Sequence, residues 1–188
     1  MIKCYGCGAL VEDIEGKPHK YIGASQGCWN LYTEILAKEY GEYNYPEHTH
    51  RLTVDTYAIQ HPGCLPEQSP KGMARAEQPE RQSIQSVNVH LISLYAVLVM
   101  KLRGRDATKL ISKILRGNPA FEWLEPPVPN GTITVVDVLK VTTQEEHEAS
   151  VKKWAEDVFG CWFSKHGEAI KRMSKQGGVG NEALPQNR

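Results

Sequence analysis

The amino-acid sequence predicts an all-α fold, a single helical domain of about five helices preceded by a short cysteine-containing segment. Three observations support this prediction. Apolar residues recur at helical spacing in most segments, helix-capping residues precede several of these segments, and glycine or proline follows them. A chain of 188 residues is also long enough to bury one substantial hydrophobic core.

The first three helices are predicted from their boundaries. The first begins after Ser25, which is a good N-cap, and ends at Gly41. The second covers residues 49–60, because His61 precedes a proline and such residues avoid the helical conformation. A central, largely apolar helix is predicted over residues 81–102.

The C-terminal half is also predicted to be helical. Residues 106–116 form an amphipathic pattern. The β-branched residues of segment 133–139 favour a strand, but Thr134 and Asp137 have the spacing of a capping box, so we predict a short helix. A second capping box begins at Thr143 and leads into a long amphipathic helix.

The expected domain covers residues 1–174. Residues 64–80 within it are polar and rich in proline, glycine and glutamine, and this composition predicts an exposed loop. The polar, glycine-containing residues 175–188 are predicted to be a disordered tail.

Charge and composition argue against several classes of partner. Lys+Arg and Asp+Glu both total 22, so no net charge attracts nucleic acid or an anionic membrane. The longest apolar stretch, residues 87–100, is shorter than the roughly 20 residues that span a bilayer. Because the N-terminus also lacks an apolar leader, we expect a cytoplasmic protein without nucleic-acid or membrane partners.

Three cysteines near the N-terminus form the strongest functional pattern. Cys4 and Cys7 are followed by Gly8, which is typical of a zinc-knuckle-like turn, and Cys28 falls in the first turn after Ser25. Thiolates are the ligating form of cysteine, and a helix N-terminus stabilises them. The pattern predicts a zinc site. A redox CxxC pair is less favoured, because no helical pattern continues from the two cysteines.

A structural zinc ion usually has four ligands, so a fourth must come from elsewhere. We prefer His19, because it lies in the irregular segment between Cys7 and Cys28. His61, which ends the second helix, is the next candidate. The remaining competitors are His48, His50 and Cys64.

A second group of candidates comes from the predicted second and central helices. His50 and His61 are eleven positions apart, about 16 Å along a helix, so both cannot bind one ion directly. His90 lies in a polar strip of an apolar helix, and a buried strip needs hydrogen-bond partners. We predict that Asp55, His61 and His90 meet in one polar pocket as candidate catalytic residues. The simpler alternative is that His90 is a hydrogen-bonded core residue.

Several motifs together resemble an uncharacterised bacterial domain-of-unknown-function family. They are CYGCGA, HKYIGASQGCW, HRLTVDTYAIQHPG, SIQSVNVHLISL, ITVVDVL and WAEDVFGCWF. The resemblance covers nearly the whole chain and implies no established activity. It points to Cys4, Cys7, His19, Cys28, His50, Arg51, Asp55, Tyr57, His61 and His90.

Two functional hypotheses follow. The first is a zinc-binding helical protein that acts as a small-molecule or protein binding module. The second is a metal-dependent hydrolase or lyase that uses His50, Asp55, His61 and His90. Ligand number separates them, because a catalytic zinc keeps one open position and a structural zinc does not.

Overall fold

The computed structural model describes residues 1–16, 18–63 and 82–176. The predicted loop at 64–80 lies outside the described residues, as do residues 177–188 of the predicted tail. The all-α prediction is confirmed, since the described chain contains six helices and one two-stranded sheet. The elements are β1 (Ile2–Lys3), β2 (Leu10–Val11), α1 (Gln26–Gly41), α2 (Glu47–Gln60), α3 (Ile84–Leu94), α4 (Gly104–Arg116), α5 (Val135–Val138) and α6 (Gln144–Lys175).

The first two helices have nearly the predicted bounds. Helix α1 follows Ser25, as expected. Helix α2 begins two residues before the prediction, directly after Pro46, and Glu47 in its first turn complements the helix dipole. It ends at Gln60 because His61, with φ −127°, has left the helical conformation before Pro62.

The predicted central helix over residues 81–102 is shorter and interrupted. Helix α3 starts only at Ile84, where the hydroxyl of Ser83 caps it by accepting a hydrogen bond from Ser86 N at 3.1 Å. A π-helical turn over Tyr95–Val99 then replaces the α-helical pattern.

The short helix α5 and the long helix α6 confirm the two predicted capping boxes. Thr134 and Asp137 bond reciprocally at the start of α5, and Thr143 and Glu146 do the same at the start of α6. Helix α6 is kinked at His166, where φ is −129°.

Helix α2 lies at the centre of the core, packed against α3 and α6. Two tryptophans of α6 are fully buried against the C-terminal end of α2. Trp154 Nε1 donates to Gln60 Oε1 at 3.0 Å, and Trp162 Nε1 donates to the Ile59 carbonyl at 3.1 Å. This packing fixes the end of α2, and therefore the position of His61. Within the described ranges, no helix is both long and apolar enough to cross a membrane.

Candidate metal centre

The β1–β2 hairpin holds the first two cysteines. Its strands pair antiparallel, and Cys4 N donates to the Ala9 carbonyl at 2.8 Å. Gly8 N donates back to the Cys4 carbonyl at 2.8 Å, and Gly8 has a φ of +76° that glycine adopts without strain. This tight turn holds the thiols of Cys4 and Cys7 close together.

The start of α1 supplies the third thiol. Cys28 lies in the first turn of α1, at the positive end of the helix dipole, and is fully buried. Ser25 N, at the same helix start, donates to Cys4 Sγ at 3.5 Å. A side chain at Gly27 would collide with the Glu12 carbonyl, so the helix start packs directly against the hairpin exit.

His61 reaches the sulfurs from the end of α2. Its side chain is fully buried, and Nδ1 lies 2.9 Å from the Tyr57 carbonyl. Because a carbonyl can only accept, Nδ1 is a donor, and Nε2 is the ring nitrogen that faces Cys28 Sγ at 3.5 Å. Gly6 passes so close to the His61 ring that a Cβ there would overlap ring atom Cδ2.

The dimensions of this cluster fit a tetrahedral zinc site. The ligand atoms of Cys4, Cys7, Cys28 and His61 all lie within 4.8 Å of one another. Cys7 Sγ and Cys28 Sγ are 3.8 Å apart, and Cys28 Sγ and His61 Nε2 are 3.5 Å apart. Tetrahedral zinc would separate two sulfurs by about 3.8 Å, and a sulfur from a nitrogen by about 3.5 Å. The residues present therefore fit a zinc ion.

Hydrogen bonds within the cluster shift the pKa values of its members in opposite directions. Burial alone would lower the pKa of His61, but hydrogen bonds to Cys4 and Cys7 outweigh it and raise that pKa to about 10. Hydrogen bonds from Cys28 and Cys7 hold the pKa of the Cys4 thiol well below its usual range. The same pairing, with burial, raises the pKa of Cys28. These groups share protons that a bound cation would displace.

Tyr57 supports the cluster from the last turn of α2. Its hydroxyl donates to Cys28 Sγ at 3.7 Å, and its ring stacks on Tyr32 at a centroid distance of 3.8 Å. Burial, followed by the nearby Cys28 sulfur, raises the pKa of Tyr57, so the hydroxyl keeps its proton. The resemblance included Tyr57, but its contact with sulfur depends on tertiary packing.

His19, the preferred fourth ligand, lies outside this cluster. Its exposed ring lies 6.0 Å from the Trp29 ring and 5.8 Å from the Tyr21 ring. The structure brings His61 to the sulfurs instead, because Gly23 N donates to the His61 carbonyl at 3.0 Å and joins the end of α2 to the segment before α1.

Of the three residues predicted to meet in one pocket, Asp55, His61 and His90, only Asp55 and His90 contact each other. Asp55 Oδ1 lies 2.7 Å from His90 Nδ1, whereas His61 turns toward the cysteines. His50 bonds Glu39 on α1 at 2.7 Å. The four residues of the hydrolase hypothesis therefore lie in three different hydrogen-bonded groups.

Sequence reasoning missed a buried cluster around Glu39. This carboxylate is fully buried and bonds His50, Thr53 and His147. One signal was available, because Glu39 continues the spacing of the buried residues Tyr32 and Ile35 along α1.

The fold and the site define a helical protein with a cluster of three cysteines and one histidine that could hold a metal ion. A model of DUF5946, a family of unknown function, matches residues 2–163. The chain belongs to this family, which confirms the expected resemblance to a family without an established activity. No curated protein matches the chain, and no solved structure does.

Proposed function

We propose that Cys4, Cys7, Cys28 and His61 bind one zinc ion, and that this ion stabilises a helical module that binds a small molecule or a protein partner. The observation that carries the proposal is the spacing of the four ligand atoms, all within 4.8 Å of one another. Thiols that were close only by chance would not need to lie at the separations found between ligands of a tetrahedral ion.

The types of ligand atom, three sulfurs and one imidazole nitrogen, favour zinc over other metals. Thiolate-rich sites with one imidazole suit zinc, whereas magnesium and calcium take oxygen ligands. The hydrogen bond from His61 Nδ1 to the Tyr57 carbonyl is the kind of supporting contact that orients metal-binding imidazoles. In the cytoplasmic compartment that we expect, thiols also remain reduced and available as ligands.

The location favours a structural ion. The ligands come from the hairpin, the start of α1 and the end of α2, so one ion would join three segments that are distant in sequence. Cys4, Cys28 and His61 are at most 2% exposed, and Cys7 is half-buried. Four protein ligands would leave no open position for a substrate or a catalytic water. A module with such an ion acts by binding rather than by metal chemistry.

Elemental analysis of the purified full chain tests the metal. We expect about one zinc per chain, since the four ligands form one tetrahedral set. Purified protein that lacks zinc, and does not take it up when zinc is added, would contradict the proposal.

Cobalt substitution tests whether the site is closed. Co²⁺ reports its ligands through visible absorption, so added azide should leave the spectrum of the cobalt protein unchanged. A change of spectrum on azide addition would show an open coordination position. That result would favour the metal-dependent hydrolase or lyase instead.

A further inference from the structure

A second polar cluster lies where α1 ends and α2 begins, and Glu39 is its centre. Glu39 is fully buried. One carboxylate oxygen lies 2.5 Å from Thr53 Oγ1 and 2.9 Å from His147 Nε2, and the other lies 2.7 Å from His50 Nδ1. Burial alone would raise the pKa of Glu39, but the hydrogen bonds from His147, Thr53 and His50 lower it. The carboxylate is therefore ionised and accepts from all three groups.

This arrangement fixes the protons of His50. Because the carboxylate accepts, Nδ1 of His50 is the donor, and in the neutral form of the ring Nε2 is an acceptor. The Tyr40 hydroxyl lies 3.3 Å from that Nε2, where it donates a hydrogen bond to the neutral imidazole. The Tyr40 hydroxyl, the His50 imidazole and the buried Glu39 carboxylate thus form a hydrogen-bonded series. A nucleophile, a base and a group that orients the base form the same kind of series in covalent catalysis.

The Tyr40 end of this hydrogen-bonded series is accessible to solvent. Tyr40 is 62% exposed, while Glu39 at the other end is fully buried. The Tyr45 ring lies 5.1 Å from the Tyr40 ring and 4.9 Å from the His50 ring, which makes a small aromatic surface beside the hydroxyl.

The backbone beside this surface is strained. Asn44 and Tyr45 have φ values of 50° and 49°, in the left-handed region that costs non-glycine residues energy. Tyr45 N donates to the Glu39 carbonyl at 2.8 Å, which holds this turn against the cluster. Backbone strain of this kind is concentrated at functional sites.

We propose that Tyr40 is an activated nucleophile that accepts an acyl group from a small aryl ester. The phenolic oxygen attacks the carbonyl carbon of the ester while His50 Nε2 takes the phenolic proton. The bond between the acyl carbon and the aryl oxygen breaks, and the aryloxide leaves with the electron pair and takes the proton from His50. The products are an acyl ester of Tyr40 and the free phenol. The step needs no metal, so it is independent of the zinc site.

Site-resolved acylation of the full chain tests this proposal, with p-nitrophenyl acetate as the probe. Tyr21 is the internal control, because it is 45% exposed and lies outside the Glu39 cluster, beside His19. The exposed fractions of Tyr40 and Tyr21, 62% and 45%, differ by less than twofold. General-base assistance should acetylate Tyr40 at least about tenfold faster, as followed by mass spectrometry of peptides over time. Rates that agree within about twofold would overturn the proposal.

Two variants locate the cause of the faster rate. His50→Gln should slow acetylation of Tyr40 to the rate of Tyr21, whereas His48→Gln, at an exposed position of the same helix, should leave it unchanged. An unchanged Tyr40 rate in folded His50→Gln protein would contradict the role of the imidazole. If that variant does not fold, the ratio of the Tyr40 acetylation rate to the Tyr21 rate in the unsubstituted protein still tests the proposal. Zinc content, measured on the same samples, separates this outcome from that of the metal proposal.

Discussion

The cysteine cluster and the Glu39 cluster connect opposite ends of the same two helices. Cys28 lies at the start of α1 and His61 follows the end of α2, whereas Glu39 lies near the end of α1 and His50 near the start of α2. Both clusters are largely buried, and both bring acidic groups together with histidine.

The two clusters differ in how their charge is balanced. Three protein donors reach the Glu39 carboxylate, so its negative charge is compensated within the chain. The thiols have longer contacts, with Ser25 N at 3.5 Å from Cys4 Sγ, and with the Tyr57 hydroxyl at 3.7 Å and His61 Nε2 at 3.5 Å from Cys28 Sγ. The carboxylate is thus balanced by short hydrogen bonds from the chain itself, whereas the thiols have longer contacts that a bound cation would replace.

The largest expected effect is the loss of a sulfur ligand. Cys28→Ser should remove most of the zinc and lower the free energy of unfolding by at least about 3 kcal/mol, because zinc binding contributes directly to folding. Elemental analysis and urea denaturation measure the two effects. Cys161→Ser is the matched control, since this free cysteine lies on α6 outside the cluster and should keep its zinc. Equal zinc content in both variants would refute the assignment.

The next largest effect is expected when the histidine ligand, His61, is replaced. His61→Gln should weaken zinc binding by about 100-fold, because the amide is a poor ligand and the site is then incomplete. His19→Gln should leave the affinity unchanged, because its exposed ring lies against Trp29. Competition with a chromophoric chelator measures both affinities. The reverse ranking would restore His19 as the fourth ligand.

Replacement of the buried carboxylate should separate stability from metal binding. Glu39→Gln loses charge-assisted hydrogen bonds and should destabilise the protein by about 3 kcal/mol in urea, with its zinc content unchanged. Glu34→Gln, an exposed position on the same helix, should have little effect. Loss of zinc from folded Glu39→Gln protein would show that the two clusters are not independent.

The smallest effect concerns the hydroxyl that faces sulfur. Tyr57→Phe removes the donor to Cys28 Sγ and should lower zinc affinity by about tenfold, as is typical of groups that support a ligand. Tyr32→Phe is the control, because the Tyr32 ring stacks on Tyr57 without a bond to the sulfurs. The same chelator competition detects the difference, and equal affinities would exclude a role for the hydroxyl.

Local signals were sufficient to predict most of the fold. The capping box at Thr143 starts α6 through contacts within one turn, so neighbouring residues determine it. Helix α1 begins directly after Ser25, although the Ser25 side chain makes no capping hydrogen bond. The π-helical turn after α3 was missed, because the apolar pattern continues through it.

The parts of the sites that were missed depend on distant contacts. The cysteines could be grouped because their spacing is short, but His61 reaches them only through the packing of α2. Glu39 and His147 are 108 residues apart, so no local pattern predicts their hydrogen bond. Helical periodicity indicates which residues are buried, but does not indicate which buried polar groups meet.

X-ray absorption at the zinc edge identifies the atoms that bind the metal. For the purified full chain, we expect three sulfur ligands at about 2.3 Å and one nitrogen ligand at about 2.0–2.1 Å. His61→Gln should remove the nitrogen contribution, and His19→Gln should retain it. A first shell made of oxygen and nitrogen alone would contradict a zinc ion held by Cys4, Cys7, Cys28 and His61.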